Sequence, residues 1–184
     1  MRYSLHSSGT KIENMALLNI LLTFIMAVAP MQQPSFLDTL RQKSAEECLS
    51  INYEFAYRVS GVKSVGNGTV DIQGNAYHML GNGVEIFCDG TSTWVIDEAA
   101  GEVVIESADS QDAGYMANPV IMLMNIDDIA SSYKVDGNTI TLELSDGSSL
   151  EIKVKNMIPS GIKKTEDFRP PYKFDSKWIV TDLR

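Results

Sequence analysis

Residues 84–97 read VEIFCDGTSTWVID: two short runs rich in β-branched and aromatic side chains, Val84 to Asp89 and Thr91 to Asp97, joined through Asp89-Gly90. An Asp-Gly pair between such runs signals a tight hairpin, because glycine readily takes the positive φ that the turn requires. The same grammar extends outward. Upstream, Val65 to Gln73 and Asn75 to Leu80 are linked through Gly74, and Asn82-Gly83 leads into Val84; downstream, Gly101 leads into Glu102 to Ser107. Links this short join antiparallel neighbours. Further upstream, Ile51, Tyr53, Phe55, Tyr57 and Val59 alternate with Asn52, Glu54, Ala56 and Arg58, the period of a strand with one apolar face. Residues 138–165 repeat the theme, with Ile140, Leu142 and Leu144, then Asp146-Gly147, then Leu150, Ile152 and Val154 alternating with charged residues; Trp178 to Leu183 reads as a closing strand.

Two segments have the other period. Ser35 to Cys48 is helical, with Ser35 as cap, Asp38 three residues on, and Phe36, Leu37 and Leu40 as an apolar stripe. Asn118-Pro119 places a capping residue before a proline and opens the run VIMLMNIDDIA over residues 120–130, apolar on most sides for two turns and so in need of cover. Asp109 to Gly114 reads as an exposed loop. The expected class is α+β: one strongly curved antiparallel sheet of about ten to eleven strands with helices over its concave face. Two short helices cover part of such a face. The remainder is expected to be a cavity lined by Tyr53, Phe55, Tyr57, Ile72, Met79, Trp94, Ile96 and Leu142, with Met116, Met122 and Met124 nearby as adaptable thioethers; the alternative is that these residues fill a closed core.

The chain of 184 residues suits one domain, and 44% hydrophobic with 21% charged residues is a globular composition. Residues 15–29, MALLNILLTFIMAVA, form an uncharged apolar run after Arg2 and Lys11 that ends in Ala27-Val28-Ala29. This is the pattern of a secretory signal over residues 1–29, leaving 30–184 as an exported domain; an uncleaved anchor is the alternative. Loss of Arg2, Lys11 and Glu13, a net +1, takes the charge from −9 to −10. Such a charge repels nucleic acid and anionic surfaces and favours solubility or a basic partner. Cys48 and Cys88 would pass through an oxidising compartment, either as a disulfide or as two buried thiols.

Catalytic signals are sparse. After the leader one histidine remains, His78; a pairing with Cys48 or Cys88 has no local motif behind it, no His or Cys spacing suits a metal, and the glycines sit at turns rather than in a phosphate cradle. No catalytic residue, metal or cofactor is assigned.

The order of elements and the stretch Val84 to Asp97, continued by Glu102-Val103-Val104-Ile105 and by Asn118-Pro119 before Met122-Leu123, resembles the LolA family of periplasmic lipoprotein carriers. The resemblance implies an open half-barrel whose apolar cavity holds the acyl chains of lipoproteins under a helical lid. It also implies a monomeric carrier, an inner-membrane releasing complex as donor and an outer-membrane acceptor. Here the lid is expected in Val120, Leu123 and Met124, with Phe36 and Leu40 beside it. The family carries an arginine just after the strand that here reads Gly68-Thr69-Val70-Asp71-Ile72; this chain has Gln73-Gly74-Asn75, which leaves its gate residue open. A lipid- or lipoprotein-sensing module of the same fold is the second expectation, and a hydrolase the third.

Overall fold

The computed structural model describes residues 35–109 and 119–184. The expected leader, Met116, Asn118 and the loop from Asp109 onward, Asp109 itself excepted, lie outside the described residues. Helix α1 (Phe36–Glu46) starts as the sequence requires: Ser35 accepts from the Asp38 amide at 3.1 Å and Asp38 accepts from the Ser35 amide at 3.0 Å, a complete capping box.

Ten strands follow among the described residues: β1 (Leu49–Val59), β2 (Val62–Gln73), β3 (Ala76–Gly81), β4 (Val84–Asp89), β5 (Ser92–Asp97), β6 (Glu102–Ser107), β7 (Ala130–Asp136), β8 (Thr139–Leu144), β9 (Ser149–Pro159) and β10 (Ile179–Asp182). They form one sheet in the order β10-β6-β5-β4-β3-β2-β1-β9-β8-β7. The α+β class therefore holds. The sheet is mixed rather than wholly antiparallel, because β10 runs parallel to β6, and it is open and without strong curl. The last strand closes nothing: it joins the β6 edge, while β7 forms the opposite edge.

The VIMLMNIDDIA run is not one helix. Pro119–Met124 (α2) and Ile126–Ile129 (α3) are separated at Asn125, whose backbone leaves the helical region (φ −110°, ψ 24°) and whose side-chain amide donates to the Ile121 carbonyl at 3.1 Å. A side chain that satisfies its own helix's carbonyl in this way competes with the helical ladder.

Alternation sends apolar side chains to both faces. The front carries the large core. Its rows run across the strands through Leu49, Ile72, Tyr77 and Cys88, and through Ile51, Val70, Met79 and Ile86, while Tyr53, Phe55 and Tyr57 sit beside Val154, Ile152 and Leu150 of β9. Leu37 and Leu40 of α1, Val120, Met122 and Leu123 of α2 and Ile126 of α3 pack on this face. A smaller core of Phe87, Ile96, Val103 and Ile105 forms on the back, with Trp94, Phe174 and Trp178 against it.

A carboxy-terminal strap over residues 163–178 is pinned to back-face side chains along its course. Lys163 pairs with Asp71 at 2.5 Å and exchanges two hydrogen bonds with Gln73, Arg169 Nε donates to Asp89 at 2.7 Å, and Tyr172 Oη donates to Glu85 at 3.3 Å. Burial alone would raise the carboxyl of Asp89, but the amides of Ser92 and Thr91 and the Arg169 guanidinium outweigh it and hold it below the usual range.

Candidate functional site: an apolar recess beside the central helix

Along the front of β2, Gly68, Gly66 and Ser64 stand opposite Tyr53, Phe55 and Tyr57. The rings use the room that these small residues leave. A Cβ on Gly66 would lie 2.6 Å from the Phe55 ring, and one on Gly68 would lie 2.6 Å from the Tyr53 hydroxyl and 2.8 Å from the Leu80 carbonyl. Tyr53 is 2% exposed, and burial pushes its hydroxyl up to about 12. Tyr57 is fixed through its hydroxyl to Ser148 Oγ at 3.2 Å.

Between these aromatics and the start of α2 lies a recess of about 80 Å³, lined by Phe55, Tyr57, Ser64, Pro119, Met122 and Leu150. Apart from the serine and the tyrosine hydroxyl its side chains are apolar. Drug-sized ligand sites run to roughly 300–1,000 Å³, so with α2 in place the recess has room for a chain end and no more. An open groove on the other side of β1 and β2 mixes Glu54, Asn67, Glu151 and Lys153 with Ala56 and Val65.

The roof is thin. α2 has six residues and α3 four, and one cation ties them to α1: Arg41 Nη2 donates to the Met124 carbonyl at 3.2 Å and pairs with Asp127 at 2.9 Å. Its Nε is buried with no hydrogen-bond partner among the described residues. Nothing in the alternation of the sequence marks Arg41; it sits on an ordinary polar position of an amphipathic helix.

Of the residues expected to line a cavity, Tyr53, Ile72, Met79 and Leu142 are buried in the front core, 2% exposed or less, and Phe55 and Tyr57 are half-buried against it. Trp94 and Ile96 are placed elsewhere. Register puts Trp94 opposite Phe87 and Ile105, and Ile96 opposite Val103, so both belong to the back-face core. Strand β5 is apolar at Val95 as well as at Trp94 and Ile96, and pattern alone does not say which side faces the helices. Among the expected lid residues, Val120 and Leu123 of α2 and Leu40 of α1 are fully buried, whereas Phe36 and Met124 are half-buried around the same core. Sequence reasoning missed Ser64, Pro119 and Leu150 as lining residues, and it missed the strap with Phe168, Tyr172 and Phe174.

Cys48 and Cys88 are free, buried thiols, so the disulfide alternative gives way. The register Leu49, Ile72, Tyr77, Cys88 puts two strands between β1 and β4; three strand spacings are about 14 Å, twice the reach of a disulfide of about 7 Å between Cα atoms. His78 lies on the back, Cys88 on the front. The imidazole stacks on Phe87 at 4.2 Å and its Nε2 meets Glu85 at 2.8 Å. Among the described residues no group of three or more His, Cys, Asp or Glu side chains converges as a metal site, and no helix is long and apolar enough to cross a membrane.

Compared with known proteins, the chain matches no family model and no curated sequence.

Proposed function

We propose that the domain binds acyl chains of lipids or lipoproteins on the front of its sheet and carries them in the periplasm towards the outer membrane. The observation that carries this reading is the apolar recess at the joint of α2 with β1 and β9, continuous with a large core roofed, among the described residues, by short helices. Displacing α2 would uncover Val120, Met122 and Leu123 together with the sheet residues beneath them, so an acyl chain entering at Phe55 and Met122 replaces helix contacts with its own. Each methylene it buries contributes about 0.8 kcal/mol. The sheet then holds its guest in the manner of a half-barrel. Methionine beside the entrance suits guests of different shape. The donor and acceptor complexes, the monomeric state and the exported location belong to the same proposal and follow from the resemblance to the LolA family.

Native mass spectrometry of the purified protein, alone and with a triacylated lipopeptide, tests this. The expected result is retention of acyl lipid by the wild type and its loss in Phe55→Asp with folding preserved, because Phe55 is half-buried at the entrance. Leu123→Asp is the contrasting variant: Leu123 is fully buried on the inner side of α2, and an unpaired charge there should drive α2 off the sheet. A wild type that takes up no acyl lipid at any lipopeptide concentration overturns the proposal.

A further inference from the structure

The β1–β2 hairpin reaches beyond its neighbours. Only Gly68 to Gln73 of β2 pair with β3, so among the described residues Val62 to Asn67 have β1 as their sole partner strand. The tip is a two-residue turn with positive φ at both Ser60 (49°) and Gly61 (82°), the tight geometry that keeps a hairpin stiff. Its apolar side chains stand in solvent: Val59 is 40% exposed, Val62 70% and Val65 72%. Val59 and Val62 are a cross-strand pair on the front, on the same side as Phe55 and Tyr57. On the back, Arg58 and Lys63 are directly opposite one another. Like charges so placed repel. Neither cation enters an ion pair among the described residues, and the carboxylate next in register, Glu151 opposite Ala56, leaves both unpaired.

A stiff tip with three exposed valines and two unpaired cations is a local reversal of character in a chain of net charge −9. Solubility alone would select the opposite. The combination matches the boundary of an anionic bilayer, where valines enter the acyl region and cations meet lipid phosphates. We propose that the hairpin tip, Arg58 to Val65, docks the protein on anionic phospholipid membranes. Docking would bring the mouth of the recess, three to five residues back from the turn along the same strands, to the membrane surface. The inference stands apart from acyl binding in the recess, since a tip can dock whether or not the recess loads.

The test reads the tip alone, so that any membrane binding through residues 15–29 of the full chain does not count. Ser60→Cys carries an environment-sensitive dye; Cys48 and Cys88 are buried and leave the new thiol as the labelling site. Asn75→Cys, in the turn at the other end of the sheet, is the control. With phosphatidylglycerol-rich vesicles the tip dye should shift to the blue and be quenched by lipid-borne quenchers, while phosphatidylcholine vesicles and the control dye show neither. Arg58→Ser with Lys63→Ser should weaken the response about 25-fold, about fivefold per charge, and Val59→Ser with Val62→Ser should abolish the quenching. The inference fails if the tip dye ignores anionic vesicles, responds equally to phosphatidylcholine, or shifts with protein concentration in the absence of lipid, which would mark a contact between copies. Loss of lipopeptide binding with the tip response intact would refute the carrier proposal and leave this one standing.

Discussion

Replacing Arg41 by methionine keeps the apolar stem and removes only the polar head that holds the roof. The charge-assisted bond from Nη2 to the Met124 carbonyl is worth about 1.5–3 kcal/mol, and the half-exposed pair with Asp127 adds at most about 1 kcal/mol. Against these stands the buried Nε without a partner, a cost of about 1–3 kcal/mol in the closed state. Weighing the midpoints leaves about 0.75 kcal/mol, a factor of about three to four in the closed-to-open equilibrium of α2 and α3. Amide exchange over Val120 to Ile129 should therefore quicken about three- to fourfold in Arg41→Met, while strands β2 to β5 exchange as before and global stability falls by no more than the same amount. If the open form is the one that binds, apparent affinity for an acyl probe should rise by the same factor of about three to four. Unchanged exchange across the two helices would show that Arg41 holds nothing, and a stability loss of several kcal/mol would make it a core residue instead of a latch.

Gly68→Ala should cost about 1–3 kcal/mol, since its Cβ would meet the Leu80 carbonyl and the buried Tyr53 hydroxyl, whereas Gly66→Ala meets only the ends of Phe55 and Asn82 and should cost less; denaturant unfolding compares them. The strap should respond to acid. Asp89 and Asp71 have folded values below the ordinary 3.8, so the stability they contribute is complete above that value and disappears as pH falls through it and on through the folded values. Trp178 and Trp94 fluorescence followed down in pH should report release of the strap, and Asp89→Asn should already be loosened at neutral pH. Alkylation under denaturing conditions without reductant should modify both Cys48 and Cys88, while the native protein reacts slowly at either; a mass showing no modification would restore the disulfide.

Much of the sheet was legible because its hairpins are local. Gly74, Asn82-Gly83, Asp89-Gly90, Gly101 and Asp146-Gly147 each sit between alternating runs, and the strands they join are neighbours in the sheet. The α1 cap was legible for the same reason, as Ser35 and Asp38 are three residues apart. Long-range features were not. Whether Trp94 or Val95 faces the helices is settled by register across four strands, and no window of sequence carries that information. The parallel attachment of β10 depends on where the strap crosses, through contacts such as Arg169 with Asp89 that are 80 residues apart. The helix break at Asn125 was hidden because asparagine is tolerated within helices; its capture of the Ile121 carbonyl is a choice made in three dimensions. The recess was only half legible. Phe55 and Tyr57 were read from alternation, but Ser64 and Leu150 line it because β2 and β9 flank β1, and Arg41 acquired its role only through the placement of α2 and α3 over α1.

Photocrosslinking with a lipopeptide whose acyl chain bears a diazirine, followed by peptide mapping, reports directly where a guest lies. Adducts concentrated on Phe55, Tyr57, Met122 and Leu150, and enhanced by Arg41→Met, are the predicted outcome. Adducts confined to the outer surface or spread evenly over the chain, with those four residues untouched, would contradict an acyl-binding front face.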